Sequence, residues 1–391
     1  MKIISVFGTR PEAIKMAPIV RKLAEQPGRI ISKVIVTGQH REMLDQVLEL
    51  FGIVPDYDLD VMKDNQTPIQ VAASIMSQLE PIFQQEKPDW VLVQGDTTTV
   101  AAVSLTAFYS RIKVGHVEAG LRTFNKWQPF PEEINRRVAG VTADLHFAPT
   151  SQAQQNLLNE GVPAEDIIVT GNPVIDALQW VAQQPSKNSL LDEMKENGKL
   201  ILVTAHRREN FGKPLENICL ALRDLAEKYF GDLQIVYPVH KNPNVQNTVY
   251  PLLNNVSNIK LLPPLDYLSL VHLMKKSTIV LTDSGGIQEE APSLGKPVLV
   301  LRETTERPEA VEAGTVKIAG TDRRYIVAEV TRLLEDRDAY NQMAQAVNPY
   351  GDGYAAKRIV GALMGETVEP FLAKQVPFEH DFKKCVILGL K

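Results

Sequence analysis

Short apolar runs with β-strand character alternate with helix-like patterns almost from end to end of this 391-residue chain. A strand–helix–strand rhythm of this kind predicts parallel sheets covered by helices on both faces. The rhythm pauses at Gly171-Asn172-Pro173 and then restarts, so we predict two doubly wound α/β domains, residues 1–170 and 171–365, followed by a tail, residues 366–391. The predicted strands are Ile3–Phe7, Lys33–Thr37, Trp90–Gln94, Val114–Val117 and Leu145–Ala148 in the first half, and Leu200–Thr204, Gln234–Pro238, Ile259–Leu262, Thr278–Thr282 and Val298–Leu301 in the second.

The composition argues against several classes of protein. A formal net charge of −5 does not suit nucleic acid or an anionic membrane surface as the main partner. No apolar run approaches the roughly 20 residues that span a bilayer, and the apolar start, Met1–Gly8, is too short for a signal peptide. Only two cysteines, Cys219 and Cys385, are present, without a disulfide framework or a metal-binding motif. These features predict a cytoplasmic enzyme that holds no metal.

A glycine-rich turn, Asp283-Ser284-Gly285-Gly286, follows one predicted strand and precedes a helical pattern. Asp283 and Ser284 are common helix caps, and the two glycines let a ligand approach backbone N–H groups at the positive end of the helix. The turn therefore predicts an anion site, most naturally for phosphate. Glu290 lies one turn deeper, where a carboxylate suits two neighbouring sugar hydroxyls, so a diphosphate joined to a ribose would satisfy both features. An ordinary capped helix with a solvated Glu290 is the alternative.

Charged residues follow other predicted strands, at the edge of a parallel sheet where ligands bind. After the first strand, the segment Gly8–Lys15 is not the G-x-G-x-x-G of a nicotinamide-binding turn, but it carries two cations, Arg10 and Lys15. A cleft that gathers several charges is costly unless they serve a ligand. Three carboxylates and a histidine fall at the same edge: Asp96, Glu118, Glu132 and His206.

Several of these residues also have a purely structural interpretation. Asp96 would simply cap the helix that follows it. Glu132 and Arg136 are spaced i,i+4 and would form a surface ion pair worth only ~0.3–0.5 kcal/mol. His116 would be a hydrogen-bonded structural histidine, and the segment Arg207-Arg208-Glu209 would be in part a solvated charge run.

Five motifs stand out along the chain: Gly8-Thr9-Arg10-Pro11-Glu12-Ala13-Ile14-Lys15, Gly95-Asp96-Thr97-Thr98-Thr99, Gly115-His116-Val117-Glu118-Ala119-Gly120-Leu121-Arg122-Thr123, His206-Arg207-Arg208-Glu209 and Asp283-Ser284-Gly285-Gly286-Ile287-Gln288-Glu289-Glu290. They closely resemble the motifs of the non-hydrolysing bacterial UDP-N-acetylglucosamine 2-epimerases, in the same order and from residue 1 to about residue 365. The resemblance implies a GT-B fold, in which two Rossmann-like domains enclose the active site and a last helix, about Gly353 to Gly365, crosses back to the first domain. It also implies a cytoplasmic homodimer that supplies cell-surface polysaccharide synthesis.

Site residues follow from the same resemblance, motif by motif. The uracil pocket corresponds to the segment Pro264–Leu270, in which Leu270 offers an apolar wall but no ring to stack on. The residues that would hold UDP are Arg10, Lys15, His206, Ser284, Gly285, Gly286, Glu290 and Arg307. The catalytic set around the sugar would be Asp96, Glu118, Glu132 and His206, with His116 and Arg136 in support.

The implied reaction inverts the second carbon of the sugar, whose hydrogen is poorly acidic. Oxidation of a hydroxyl would require a dinucleotide, and the chain has no dinucleotide-binding turn. The remaining route is elimination: UDP leaves the anomeric carbon while a carboxylate removes the neighbouring proton, which gives a 2-acetamidoglucal and bound UDP. Cations and helix N–H groups stabilise the charge on the diphosphate, and reprotonation on the opposite face requires a second acid. The reaction needs no cofactor.

Three other functions share parts of this pattern. A hydrolysing epimerase would release free N-acetylmannosamine, and a GT-B glycosyltransferase would need an acceptor groove. A non-catalytic nucleotide-sugar sensor would not need the three carboxylates. The residues alone do not assign the carboxylates to faces of the sugar.

Some relatives bind a second UDP-N-acetylglucosamine beside the active site as an activator. Glu42 and Asn65 stand where relatives can have Gln and Arg, and both differences make the local field more negative. We therefore expect activation to persist but to require more activator. The residues that match the contacts of the activator are Gln39, Glu132, Arg207 and His240.

Overall fold

The computed structural model describes residues 1–38, 41–63, 66–185 and 198–373, with residues 41 and 42 described in their backbone only. The strands in these ranges form two sheets, and every hydrogen-bonded pair of strands is parallel. The first sheet has the order β3-β2-β1-β4-β5-β6-β7. Its strands are β1 Lys2–Phe7, β2 Ile31–Val36, β3 Tyr57–Asp58, β4 Trp90–Gln94, β5 Lys113–Val117, β6 Leu145–Ala148 and β7 Ile167–Val169.

The second sheet repeats this arrangement with one strand fewer, in the order β10-β9-β8-β11-β12-β13. In both sheets the order reverses beside the first strand of the sheet, which leaves a crevice at the carboxyl ends of the central strands. Its strands are β8 Lys199–Thr204, β9 Leu233–Pro238, β10 Ile259–Leu262, β11 Ile279–Thr282, β12 Val298–Val300 and β13 Val316–Ile318.

Helices cover both faces of the sheets, and none of those in the described ranges is long and apolar enough to cross a bilayer. In the first half they are α1 Arg10–Ala24, α2 Arg41–Phe51, α3 Pro68–Glu86, α4 Thr98–Tyr109, α5 Glu132–Thr142, α6 Ser151–Asn159 and α7 Pro173–Val181. In the second half they are α8 Lys213–Lys228, α9 Pro243–Leu253, α10 Tyr267–Lys276, α11 Gly285–Ser293, α12 Pro308–Glu312, α13 Arg323–Glu335, α14 Arg337–Ala344 and α15 Ala355–Leu363.

All ten predicted strands are present, with ends that shift by at most two residues. Strands β3, β7 and β13 were not predicted. Each has only two or three residues and lies at the edge of its sheet, so none shows the long apolar run of a strand that is buried on both faces. The α/β fold of two doubly wound parallel sheets is thereby confirmed.

The end of the described chain returns to the first sheet. Helix α15 packs against α1 and α7, and further on Phe371 N–H donates to the carbonyl of Val169 at 2.8 Å. Asp176 of α7 accepts hydrogen bonds from the first N–H groups of α15, from Ala355 at 3.1 Å and Ala356 at 2.9 Å. The domain limits at residues 170 and 365 stay a prediction, and most of the predicted tail, residues 374–391, lies outside the described residues.

Asp176 provides a test of this return. The substitution Asp176→Ala removes the acceptor for two N–H groups of α15, and the loss of a helix cap lowers the free energy of unfolding by about 1–2 kcal/mol. Denaturant unfolding of the purified protein measures it. Asp232 is exposed, so Asp232→Ala serves as control with a change below ~0.5 kcal/mol. Equal unfolding free energies for the two variants would contradict the capping role.

Candidate active site

A cleft of about 610 Å³ is lined by loops that follow strands of both sheets. Seven residues singled out from the sequence therefore meet in one cavity, although they come from segments distant in the chain. The first half contributes Lys15, Asp96, Glu118, Glu132 and Arg136, and the second half contributes Arg207 and Arg307.

Glu118 follows β5 and is buried, with 6% of its surface exposed. Its φ of +63° lies in the left-handed region, which costs a non-glycine residue on the order of 1–3 kcal/mol and is typical of functional sites. Lys15 Nζ lies 2.8 Å from Oε1 and 2.6 Å from Oε2 of this carboxylate, and Gln94 Nε2 donates to Oε2. Burial raises the pKa of Glu118, but the charges of Lys15 and Arg307 outweigh it and hold the pKa below its usual value.

A second ion pair, also partly buried, lies beside the first. Arg307 Nε donates to Glu289 Oε1. Asn172 connects the two pairs, because its Nδ2 lies 3.1 Å from Glu118 Oε1 and 2.8 Å from Glu289 Oε2. Both Lys15 and Arg307, which the resemblance assigns to UDP, are thus paired with carboxylates in this structure.

Asp96 follows β4 and faces α5. Arg136 Nη2 donates to Asp96 Oδ2, and Asn135 Nδ2 donates to the carbonyl of Asp96 at 3.0 Å. Helix α4 is capped instead by Thr97, whose hydroxyl accepts from Val100 N–H at 3.3 Å, so the interpretation of Asp96 as a helix cap is wrong. Burial raises the pKa of Asp96, and the charge of Arg136 only partly opposes the rise.

Glu132 is the first residue of α5 and lines the cleft. Arg136 binds Asp96 and also lies 3.3 Å from Glu133, so the interpretation of Glu132 and Arg136 as an i,i+4 ion pair is wrong. Glu132 Oε2 is buried and has no hydrogen-bond partner in the described part of the chain. An unpaired buried carboxylate oxygen is costly, which favours a ligand as its partner.

His116 lies on β5 and is 1% exposed. Its Nε2 lies 2.7 Å from the carbonyl of Gly95, so this nitrogen carries the proton and donates. Burial lowers the pKa of His116 to about 3, against the opposing effect of the Gly95 hydrogen bond. The ring is therefore neutral at physiological pH, and its position supports the loop that leads to Asp96.

The loop after β8 is held by Asp283. Asp283 Oδ2 accepts from the backbone N–H of His206 at 2.7 Å and of Arg207 at 2.8 Å, so the prediction that it caps its own helix is wrong. His206 Nδ1 lies 3.5 Å from Asp283 Oδ1, and its ring stacks on His240 with centroids 5.3 Å apart. Burial lowers the pKa of His206, and Asp283 opposes this shift in part.

The amino end of α11 is the predicted anion site. Ser284 occupies the N-cap position, but its side chain makes no capping hydrogen bond. A Cβ at Gly285 would lie 3.8 Å from the Nη2 atoms of both Arg207 and Arg307. The positive end of the helix therefore lies beside two guanidinium groups, an arrangement that suits a phosphate.

Glu290 is buried, with 8% of its surface exposed, so the alternative of a solvated Glu290 is wrong. Tyr267 O–H donates to Glu290 Oε2 at 2.7 Å, and a Cβ at Gly286 would lie 3.5 Å from Glu290 Oε1. Burial raises the pKa of Glu290 to about 7, against the opposing effect of the Tyr267 hydrogen bond. Arg10 lies nearby and donates from Nη2 to the carbonyl of Leu265 at 3.3 Å.

The candidate activator contacts are only partly described. Arg207 is half-buried and its Nη1 lies 3.9 Å from Glu306 Oε1, so this part of the predicted charge run is not simply solvated. Gln39 and Asn65, and the side chain of Glu42, lie outside the described residues.

Four residues of the site were not predicted from the sequence, although each has a sequence feature that could have indicated it. Asn172 stands in the turn at which the strand rhythm restarts, and Glu289 adjoins Glu290 in the glycine-rich motif. Tyr267 belongs to the segment compared with a uracil pocket, and Gln94 is a polar residue at the end of an apolar strand. Among the described residues, no group of three or more His, Cys, Asp or Glu side chains is arranged to hold a metal ion.

Comparison with known proteins agrees with this geometry. Residues 21–364 match the family model of UDP-N-acetylglucosamine 2-epimerase. The UDP-N-acetylglucosamine 2-epimerase of Escherichia coli K12 is 56% identical over 376 residues, which cover 94% of this chain and 100% of that protein.

Solved structures give the same result. The UDP-GlcNAc 2-epimerase of Neisseria meningitidis, solved with UDP-GlcNAc bound, has a TM-score of 0.86 and 51% identity, and the match covers 94% of this chain and 100% of that one. The S. aureus MnaA–UDP co-structure has a TM-score of 0.85 and 50% identity, with 96% and 100% covered. The chain therefore belongs to the UDP-N-acetylglucosamine 2-epimerase family, with its α/β fold of two parallel-sheet domains.

Proposed function

We propose that the protein reversibly converts UDP-N-acetylglucosamine to UDP-N-acetylmannosamine by eliminating and re-adding UDP, without net hydrolysis. The observation that carries this proposal is the meeting of two kinds of group in one cleft. Arg207 and Arg307 line the cleft, lie beside the amino end of α11 and suit a diphosphate. The carboxylates of Asp96, Glu118 and Glu132 line the same cavity. An elimination needs both at once, because a leaving group departs as a proton is removed.

The UDP part would lie at the amino end of α11. Ser284, Gly285 and Gly286 would present N–H groups to the diphosphate, and Glu290 would accept the two ribose hydroxyls. The bound UDP in the S. aureus structure and the bound UDP-GlcNAc in the N. meningitidis structure support a nucleotide of this class. The other residues assigned to UDP are the cations Arg10, Lys15 and Arg307, together with His206.

The carboxylates would move the proton of the second carbon. The charge of Lys15 favours the ionised form of Glu118, whereas burial raises the pKa of Asp96. Such opposite environments suit one group to accept a proton and another to hold one. Each group that faces the sugar would act as a base in one direction of the reaction and as an acid in the other. Glu132 is a third candidate, because its buried Oε2 has no hydrogen-bond partner among the described residues.

A hydrolysing epimerase and a glycosyltransferase are the competing functions. Water that captured the glycal intermediate would release N-acetylmannosamine and UDP, whereas a glycosyltransferase would consume the sugar only when an acceptor is present. The cluster around Glu118 favours epimerisation, because it retains cations beside the leaving group after the bond has broken.

The wider role is proposed from the family resemblance. The enzyme would act as a homodimer in the cytoplasm and would supply cell-surface polysaccharide synthesis. A second UDP-N-acetylglucosamine would act as an activator near Arg207, which follows His206 in the loop after β8, and near His240, whose ring stacks on that of His206.

Elimination predicts exchange with solvent. In deuterated water, the product formed from UDP-N-acetylglucosamine should carry deuterium at the second carbon, without added nicotinamide, because the removed proton mixes with solvent. Proton NMR follows both the exchange and the appearance of free N-acetylmannosamine. Turnover with the original hydrogen retained would exclude the mechanism, and accumulation of the free sugar would identify the hydrolysing enzyme.

The carboxylates should be required for turnover more than for binding. Asp96→Asn, Glu118→Gln and Glu132→Gln should each lower kcat by at least ~100-fold, as the loss of a positioned acid or base does. The affinity for UDP should change much less, since a carboxylate near a diphosphate does not help to bind it. Glu80 is exposed on α3, so Glu80→Gln is the control and should leave kcat unchanged. Near-normal turnover in any of the three variants would make that carboxylate structural.

Glu290 should distinguish a ribose from a deoxyribose. Glu290→Gln should weaken UDP binding by about tenfold, because hydrogen bonds to a charged group contribute ~1.5–3 kcal/mol. Thymidine diphosphate lacks the 2′-hydroxyl and should lose much less affinity. Calorimetry of both nucleotides measures the difference, and equal losses would argue against ribose recognition.

The same carboxylate should make this discrimination pH-dependent. The hydroxyls donate to the ionised form, and the pKa of Glu290 is raised to about 7 by burial, less the effect of the Tyr267 hydrogen bond. The preference for UDP over thymidine diphosphate should therefore fall as the pH falls through 7. The ratio of the two affinities cancels the titration of the phosphates themselves. In Glu290→Gln the ratio of the two affinities should not change between pH 6 and 8, because glutamine has no carboxyl group that titrates.

A further inference from the structure

Asn172 lies where the chain passes from the first sheet to the second, and only 1% of it is exposed. Its backbone N–H donates to the carbonyl of Tyr350 at 2.6 Å. Gly171, directly before it, has a φ of +80°, and a Cβ there would lie 3.2 Å from the Cα of Gly351. The crossing segment and the returning chain therefore fix Asn172 from both sides.

The whole side-chain amide of Asn172 is engaged. Its Oδ1 accepts from Val174 N–H at 3.1 Å and so caps α7. Its Nδ2 donates to Glu118 Oε1 at 3.1 Å and to Glu289 Oε2 at 2.8 Å. An amide nitrogen has two protons, so this one side chain holds a carboxylate from each half of the cleft.

The two carboxylates joined by Asn172 pair with the two cations nearest to them. Lys15 binds Glu118, and Arg307 binds Glu289. The four charges balance, which lowers the cost of burying the two carboxylates and, in part, the two cations. Under the proposed function, the same two cations face the diphosphate.

Departure of UDP changes this balance. Breaking the bond to the anomeric carbon places negative charge on a phosphate oxygen. Lys15 and Arg307 then interact more strongly with the phosphate and less strongly with the two carboxylates. A weaker interaction with Lys15 makes Glu118 a stronger base while the proton of the second carbon must leave. The amide of Asn172 has no net charge, so the phosphate competes for it far less and Glu118 keeps its position.

We propose that Asn172 is a positioning residue for the epimerisation: its amide ties the Glu118 carboxylate to the Glu289–Arg307 pair, so that proton removal and the departure of UDP are coupled. In this step the electron pair of the C–H bond forms the double bond of the glycal. The pair of the C–O bond leaves with UDP, and the proton goes to a carboxylate. The inference rests on the proposed function.

A matched control separates this role from that of an ordinary helix cap. Asn242 precedes Pro243 and caps α9, with its Oδ1 accepting from Asn244 N–H at 2.9 Å. Asn172 precedes Pro173 and caps α7 with the same spacing. Serine keeps a capping oxygen at either site but has no amide that could hold two carboxylates.

The test compares Asn172→Ser and Asn172→Asp with Asn242→Ser in the full-length enzyme. Asn172→Ser should lower kcat by roughly 30–100-fold, because a loss of alignment of about 1 Å has an effect of this size. Its affinity for UDP should stay within about threefold and its thermal stability near that of Asn242→Ser. Asn172→Asp keeps the cap but adds a third carboxylate, so its loss should be larger. Asn242→Ser should keep its kcat.

The pH profile gives a readout that a cap alone would not change. The titratable or charged groups that face Glu118 are Lys15, Asp96, His116, Glu289 and Arg307. A hydrogen bond to an ionised carboxylate lowers its pKa, so losing the amide raises it. The acidic limb of kcat/KM should therefore move to higher pH in Asn172→Ser and stay in place in Asn242→Ser.

Two results would overturn the inference. One is an Asn172→Ser variant whose kcat, and whose acidic limb in the pH profile of kcat/KM, equal those of the wild type. The other is a loss of kcat matched by equal losses of UDP affinity and thermal stability, which would leave Asn172 as a cap only. Deuterium exchange by the wild type tests the proposed function separately: if the wild type exchanges and Asn172→Ser behaves normally, only the positioning role fails.

Discussion

Two buried carboxylates and two partly buried cations lie side by side where the two halves of the chain meet. Lys15 and Glu118 form one pair and Arg307 and Glu289 form the other, with the amide of Asn172 between them. Burial of ions costs several kcal/mol each, and removing one partner of such a pair typically costs 3–5 kcal/mol. The four charges are therefore tolerated only as a set. Any ligand that takes one of the cations disturbs the whole set, which makes the cluster responsive to the charge of that ligand.

The fold explains why these residues can meet at all. In a parallel sheet every strand delivers its following loop to the same edge, and the two sheets of this chain turn those edges toward one cleft. Lys15 follows β1, Glu118 follows β5 and Arg307 follows β12, so residues from three distant segments become neighbours. The resulting cavity combines carboxylates and cations, and each half of the chain contributes some of its cations.

The strands and the ligand-facing edge were predictable because long apolar runs and the residues directly after them are visible in the sequence. The hydrogen-bond and ion-pair partners of each charged side chain were not predictable from the sequence. The i,i+4 spacing of Glu132 and Arg136 shows that they lie on one helix face. However, Arg136 pairs with Asp96, which comes from a different element, and not with Glu132. Asp283 could cap α11, but its carboxylate instead accepts hydrogen bonds from backbone N–H groups of the loop after β8. Local spacing defines which pairs are possible, and contacts between distant segments decide which form.

Under the proposed function, Glu289 lies beside the diphosphate, and a carboxylate in that place opposes the ligand. Its presence is reasonable only if maximal affinity for UDP is not what the site requires. A cleft whose cations were free would bind substrate and departed UDP almost equally well, and binding of that kind does not accelerate the chemical step. With Glu118 and Glu289 competing for Lys15 and Arg307, attraction to the phosphate of the proposed substrate would grow mainly as its charge grows. The carboxylates would then stabilise the bound substrate less and the stage at which the bond to UDP breaks more.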